Sequence, residues 1–288
     1  MLDEFVARIG CLKIAEHFMA GDIQVRSGRK NNNASNIEAD LQVMNSFEQI
    51  SDSLTRGEIE GAFLPLPFAL NFFRKGMNIQ LLLLINGQGS AFFKNGSADI
   101  KKIEDFKGKI ILTPCFLSVQ NMLLHKMFFS AGLKLGSFRD VKADIFLEVV
   151  PENIMLEFVK NDSDNGVGGI VASEPFASQT VQIGDFKVLC KFDSLWAGHP
   201  DTAFVLKNFV IKDNLNYVER LIDSISRADY RIGQDEKNGG ALLASTSSYY
   251  PSIKIVQNYM VEQAGFLPEK VNIKEFIDTK LIEELRSK

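Results

Sequence analysis

Short apolar runs alternate with amphipathic segments along most of the chain, and turn residues fall between them. Val6–Ile9 and Ala39–Val43 predict strands, the second running into cap-type residues Asn45 and Ser46. A helix is expected from there to Arg56, with Glu48 placed to reach back to the cap and Gly57 as the stop. Gly61–Leu64 predicts a brief buried strand closed by Pro65 and Pro67, and Phe68–Arg74 a short helix that Gly76 ends. Ile79–Ile85 is apolar almost throughout, the pattern of a strand covered on both faces. A second series repeats the theme. Strands are expected at Lys109–Leu112, Asp144–Val150, Gly168–Ala172 and Phe186–Phe192. Helices are expected at Ser118–Leu133, from Pro151, and from Glu174-Pro175. Strands alternating with helices predict a mostly parallel sheet built from βαβ units.

The last third changes character. Thr202–Leu206 predicts one more strand, which Val210-Ile211 extends beyond a kink. After Asp213 only helices are expected, at Leu215–Gly233, Ala241–Tyr249, Ile253–Gly265 and Ile273–Arg286. Crossovers between two lobes are placed near Asn86–Ser90 and Asp193–Asp201. One discontinuous lobe then comprises residues 1–88 with 200–288, and the other residues 89–199.

Composition narrows the classes. With 288 residues, 45% hydrophobic and 24% charged, the chain is long enough for about two domains and is neither disordered nor fibrous. A net charge of -4 argues against nucleic acid as a partner. Three scattered cysteines make no disulfide framework or zinc site, though a single bridge stays open. The longest apolar run is far too short to span a membrane, so any membrane association is peripheral. The start of the chain has acidic residues at Asp3 and Glu4 and lacks an export-signal pattern; the expectation is a cytoplasmic protein or a trimmed mature form.

No catalytic constellation stands out. HExxH, CxxC, P-loop, GxGxxG and GxSxG patterns are absent, so no catalytic residue, metal or cofactor is assigned. His125, inside a predicted helix, reads as a helix-surface residue. Asn86–Ser90 reads as a hinge turn, and the basic, Asn-rich stretch 26–36 as an exposed loop. What the pattern does offer is strand C-termini running into helix N-termini, at Asn45–Phe47, at Thr113–Cys115 with Ser118, and at Ser173–Pro175. Ligands of open α/β sheets sit at such corners, where free N–H groups attract anions or polar oxygens. Glu152 and Glu174 qualify this: facing a ligand, they disfavour a bare anion such as nitrate and favour an amine-bearing or neutral molecule.

Four segments carry a family resemblance: GEIEGAFLPLPFALNFFRKG (57–76), IEDFKGKIILTPCFLSVQNMLLHKMFFSAGL (103–133), GGIVASEPFASQTV (168–181) and LWAGHPDTAFVLKNFVIKDNLNYVERLI (195–222). Together they resemble the substrate-binding proteins of ABC transporters. The nearest group is the nitrate/sulfonate/bicarbonate/taurine type, which includes binding proteins for thiamine precursors. The resemblance implies the type 2 periplasmic-binding-protein fold: α/β, two lobes with mostly parallel central sheets, a helical C-terminal segment and a ligand held between the lobes. Carried over by position, the ligand contacts fall on Lys13 and His17, on Ser46 and Phe47, and on Leu64 and Pro65. They continue at Gly89 and Ser90, at Thr113, Cys115 and Ser118, and at Glu174. A departure is the polar stretch 19–36, which stands where the family has a longer first helix.

The implied function is non-enzymatic: capture of a small polar or aromatic ligand and delivery to an ABC transporter permease, by a monomer at the periplasmic side or cell surface. Two alternatives stand beside it. One is a cytoplasmic enzyme of the same fold, a lyase or synthase in menaquinone or thiamine-precursor biosynthesis, with His17 or Glu174 as base. The other is a ligand-sensing module of a larger receptor.

Overall fold

Two six-stranded sheets organise the chain. The computed structural model describes residues 5–12, 24–25, 38–86, 89–161, 166–174, 176–182, 185–235 and 250–277. By compactness these fall into two units, one of residues 1–86 with 200–288 and one of residues 87–199. Among the described residues no helix is long and apolar enough to cross a membrane.

In the first unit the strands are β1 (Arg8–Leu12), β2 (Gln24–Val25), β3 (Glu38–Met44), β4 (Gly61–Pro65), β5 (Ile79–Asn86) and β12 (Pro200–Lys207). Their order is β2-β3-β1-β4-β12-β5. β1 runs parallel to β3 and β4, whereas β12 lies antiparallel between β4 and β5. Every residue of β4 is buried, which explains its lack of apolar–polar alternation. A Cβ on Gly61 would stand 2.8 Å from the Val205 carbonyl oxygen, so glycine lets β4 and β12 approach. Beside it Phe63 and Phe204, paired across those strands, stack at 4.7 Å. Helices α1 (Phe47–Arg56) and α2 (Leu66–Arg74) follow β3 and β4.

The second unit contains β6 (Ala91–Asn95), β7 (Ile110–Thr113), β8 (Leu135–Gly136), β9 (Ile145–Val149), β10 (Val167–Ala172) and β11 (Phe186–Lys191), in the order β11-β6-β10-β7-β9-β8. β7 is parallel to β9 and β10, and β6 is antiparallel to β10 and β11. Helices α3 (Val119–Ser130), α4 (Glu152–Asn161), α5 (Phe176–Gln182) and the short α6 (Phe192–Leu195) complete it. Phe92, Phe106 and Phe128 form a mutual ring cluster at 5.3–6.0 Å, one reason the chain carries so many phenylalanines.

Several expectations need correction. Val210 and Ile211 do not extend a strand but lie in α7 (Asn208–Asp213), where both side chains are buried. β6 went unread because AFFKN has no alternation and is flanked by turn residues. His125 is not a surface residue: seven consecutive positions of α3, Val119–His125, are buried, and its ring stacks on Phe129 at 6.0 Å. That burial, with Lys134 nearby, lowers the imidazole pKa. Beyond α8 (Leu215–Asp235), the expected helix at 253–265 is α9 (Tyr250–Asn258) followed by a π turn at Tyr259–Gln263. The expected helix at 241–249 lies outside the described residues, and of that at 273–286 only α10 (Ile273–Ile277) is described.

Candidate functional site

In the first unit, strand register brings the described candidate residues to one sheet edge. Leu12 pairs with Met44, Pro65 with Thr202, and Asn86 with Pro200. The carboxyl ends of β1, β3, β4 and β5 therefore share an edge with the start of β12, and the chain leaves and returns there. Ser46 is the N-cap of α1, its hydroxyl accepting from the Gln49 N–H at 3.3 Å. Gln49, not Glu48, reaches back past the cap: its amide oxygen accepts from the N–H of Asn45, the residue before Ser46, at 2.9 Å. Phe47 is half-buried and faces Phe68 at 6.2 Å, which meets Phe72 edge-on at 5.0 Å. Leu64 is fully buried in β4, and Pro65 is buried as the cap of α2. Since Pro65 and Pro67 lack N–H groups, this helix start is poor in donors. Phe68 was not singled out from the sequence; its signal is its place in the first turn after Pro65.

The second unit presents a polar edge. Thr113 ends β7 beside Val149 of β9, and Ala172 ends β10 beside Ala91 of β6. Thr113, Cys115 and Ser118 are buried and form a closed knot. Ser118 caps α3 by accepting from the Asn121 N–H at 3.1 Å, while its own hydroxyl donates to the Cys115 carbonyl at 3.2 Å. The Asn121 amide donates to the carbonyls of Cys115 at 3.0 Å and Phe116 at 2.9 Å. Thr113 Oγ1 lies 3.1 Å from Asn121 Oδ1 and 3.3 Å from the Cys115 carbonyl; its single proton serves one of them. Sequence reasoning missed Asn121, although S-x-x-N at a helix start was a usable signal.

Glu174 and Gly89 meet. Gly89 has φ +81°, and a Cβ there would stand 2.9 Å from Glu174 Cγ, so backbone strain and close approach both favour glycine. The Glu174 carboxylate accepts from the Ser178 N–H at 3.2 Å and hydroxyl at 3.0 Å, and Glu152 accepts from the Ser173 N–H at 2.8 Å. Ser90 is buried, its carbonyl accepting from the Phe192 N–H at 3.1 Å. Lys13, His17 and Pro175 lie outside the described residues, as does the stretch 26–36. Among the described residues no cluster of histidine, cysteine, aspartate and glutamate is able to hold a metal ion. Cys11 and Cys115 are buried, and Cys190 is half-buried.

Residues 7–244 match the profile of the NMT1-like family. No curated protein sequence matches significantly. The fold is similar to that of the ligand-binding component of an ABC-type import system from Staphylococcus aureus, solved with zinc bound: TM-score 0.75 and 13% identity, covering 98% of this chain and 99% of that one. It is also similar to the periplasmic aliphatic sulphonate-binding protein SsuA from Escherichia coli, with TM-score 0.66 and 13% identity over 98% and 100% of the two chains. The periplasmic nitrate-binding protein NrtA from Synechocystis PCC 6803 gives TM-score 0.58 and 17% identity, over 96% of this chain and 70% of that one.

Proposed function

The chain belongs to the NMT1-like family, and on that premise we propose that it is the solute-binding protein of an ABC importer. It captures a small polar or aromatic molecule and hands it to a membrane permease on the periplasmic side or cell surface, acting as a monomer. What supports this reading most is that, in each unit, the described candidate residues follow the carboxyl ends of strands, near the points where the chain passes from one unit to the other. Ligands of open α/β sheets occupy that kind of edge. Half-buried Ser46, Phe47 and Phe68, exposed Gly89 and half-buried Glu174 are the surfaces offered to the ligand. Leu64, Pro65, Ser90, Thr113, Cys115 and Ser118 are buried and hold those surfaces in place.

Native mass spectrometry of the purified full chain tests this. The expected result is one small molecule released intact on unfolding and regained on addition, with no product formed. A saturating ligand at a hundredfold excess over its Kd raises stability by about 2.7 kcal/mol. Conversion of the molecule during incubation, lost in Glu174→Gln, would replace the transport reading by the enzymatic one.

A further inference from the structure

β8 is the last strand of the second sheet, and the turn that follows it, residues 137–142, holds itself together with its own polar groups. The Asp140 N–H donates to the Ser137 carbonyl and the Ala143 N–H to the Asp140 carbonyl, both at 2.9 Å. The Asp140 carboxylate accepts from the Lys142 N–H at 3.0 Å. The side chains left exposed on this turn are mainly apolar or cationic. Phe138 is 56% exposed, and one face of its ring stacks on Phe146 at 4.6 Å, which fixes it in place. Val141 is 96% exposed. Phe129, 68% exposed near the end of α3, joins the same surface through a run of neighbours. Its ring stacks on His125, Lys134 is close enough to lower the His125 pKa, and the Lys134 ammonium lies 2.9 Å from Asp140.

Charge sets this patch apart. The protein as a whole carries a net charge of -4, yet both acids here are paired, Asp140 with Lys134 and Asp144 with Lys107 at 3.1 Å. Arg139 and Lys142 are exposed, as is Lys126, which neighbours Phe129 on the surface of α3. None of these three cations has an ion-pair partner among the described residues. Glu148, exposed two residues along β9 from Phe146, bounds the patch on that side.

A partner must therefore accept apolar side chains and free cations together. The boundary between headgroups and acyl chains of an anionic bilayer does so, taking in rings and aliphatic tips while Lys and Arg stay at the phosphates. A protein partner fits less well. Three apolar side chains on a turn and a helix end supply only part of the roughly 800 Å² per side that a stable interface buries.

We infer that this edge of the second unit docks on anionic lipid, with Phe129, Phe138 and Val141 entering the surface and Lys126, Arg139 and Lys142 held at its phosphates. None of these is a candidate ligand residue, so the inference does not depend on solute capture. Docking of this kind keeps the protein beside the bilayer in which a permease sits.

Co-sedimentation of the full chain with vesicles tests it, using equal parts of phosphatidylglycerol and phosphatidylcholine against phosphatidylcholine alone. The expected result is binding to the anionic vesicles that falls as salt is raised, with little binding to the neutral ones. Arg139→Gln and Lys142→Gln together should weaken it about thirtyfold, the effect of two cations at an anionic surface. Val141→Asp, at a position too exposed to matter for folding, should remove most of the binding and leave Tm unchanged. Equal binding to both kinds of vesicle, binding to neither, or binding that survives Val141→Asp would overturn the assignment. A concentration-dependent dimer lost in Val141→Asp, without vesicle binding, would give the surface to a second copy of this chain instead.

Discussion

The two units end their sheets in contrasting ways. In the first, the edge carries a half-buried pair of phenylalanine rings, Phe47 and Phe68, beside helix starts closed by Ser46, Pro65 and Pro67. In the second, it carries carboxylates and a buried knot centred on Asn121. Both edges arise from the same strand-to-helix geometry, so topology chooses the place and the few residues after each strand choose the chemistry. An aromatic shelf favours a planar face; half-buried carboxylates disfavour an anion.

The largest effect is expected where the polar edge is most buried. Asn121→Leu strips the donors from the Cys115 and Phe116 carbonyls and should cost about 3 kcal/mol, read from the urea midpoint. An unchanged midpoint would mean that the knot is not what holds the 114–117 loop. Gly89→Ala should cost about 1–2 kcal/mol, because a left-handed φ and the Glu174 side chain both oppose a Cβ. Ser46→Ala, at the aromatic edge, should cost about 1 kcal/mol, and Ser46→Asp should restore it. Phe47→Leu should leave Tm nearly unchanged but weaken an aromatic ligand by about 1 kcal/mol; equal weakening of an aliphatic ligand would argue against ring stacking.

The smallest effect is one of pH. The His125 pKa is lowered by burial first and by Lys134 second. The unfolded chain therefore binds that proton more readily. The associated stability is complete above the ordinary imidazole value of about 6.5 and is lost as pH falls through it towards the lower folded value. Between about pH 7.5 and 5.5, wild type should lose stability more steeply than His125→Leu. Parallel melting curves for the two proteins would exclude this histidine as the cause.

How far the sequence could be read depended on the range of each interaction. The caps at Ser46 and Ser118 were legible because a cap needs only a side chain and an N–H three residues away. The apolar runs of β4 and β5 were legible because double-sided burial leaves no alternation. Val210-Ile211 misled because two adjacent apolar residues suit either a strand or a buried helical turn. His125 misled because α3 is buried on nearly every side, so its polar residues do not mark a solvent face.

Within the candidate site the same division holds. Thr113, Cys115, Ser118 and Glu174 were recognisable as residues after strands, yet nothing local set the buried knot apart from the half-buried Glu174. The contact of Gly89 with Glu174 spans far too much chain for any pattern to announce it.

Sequence alone determined where most strands and helices begin, since dihedral preferences, caps and apolar periodicity act over a few residues. Tertiary structure alone decided which strand ends share an edge, which hydroxyls are consumed in holding loops, and which rings and carboxylates stay accessible. Those outcomes depend on register and packing between distant segments, and each is a small balance of burial against hydrogen bonding that no local stretch encodes.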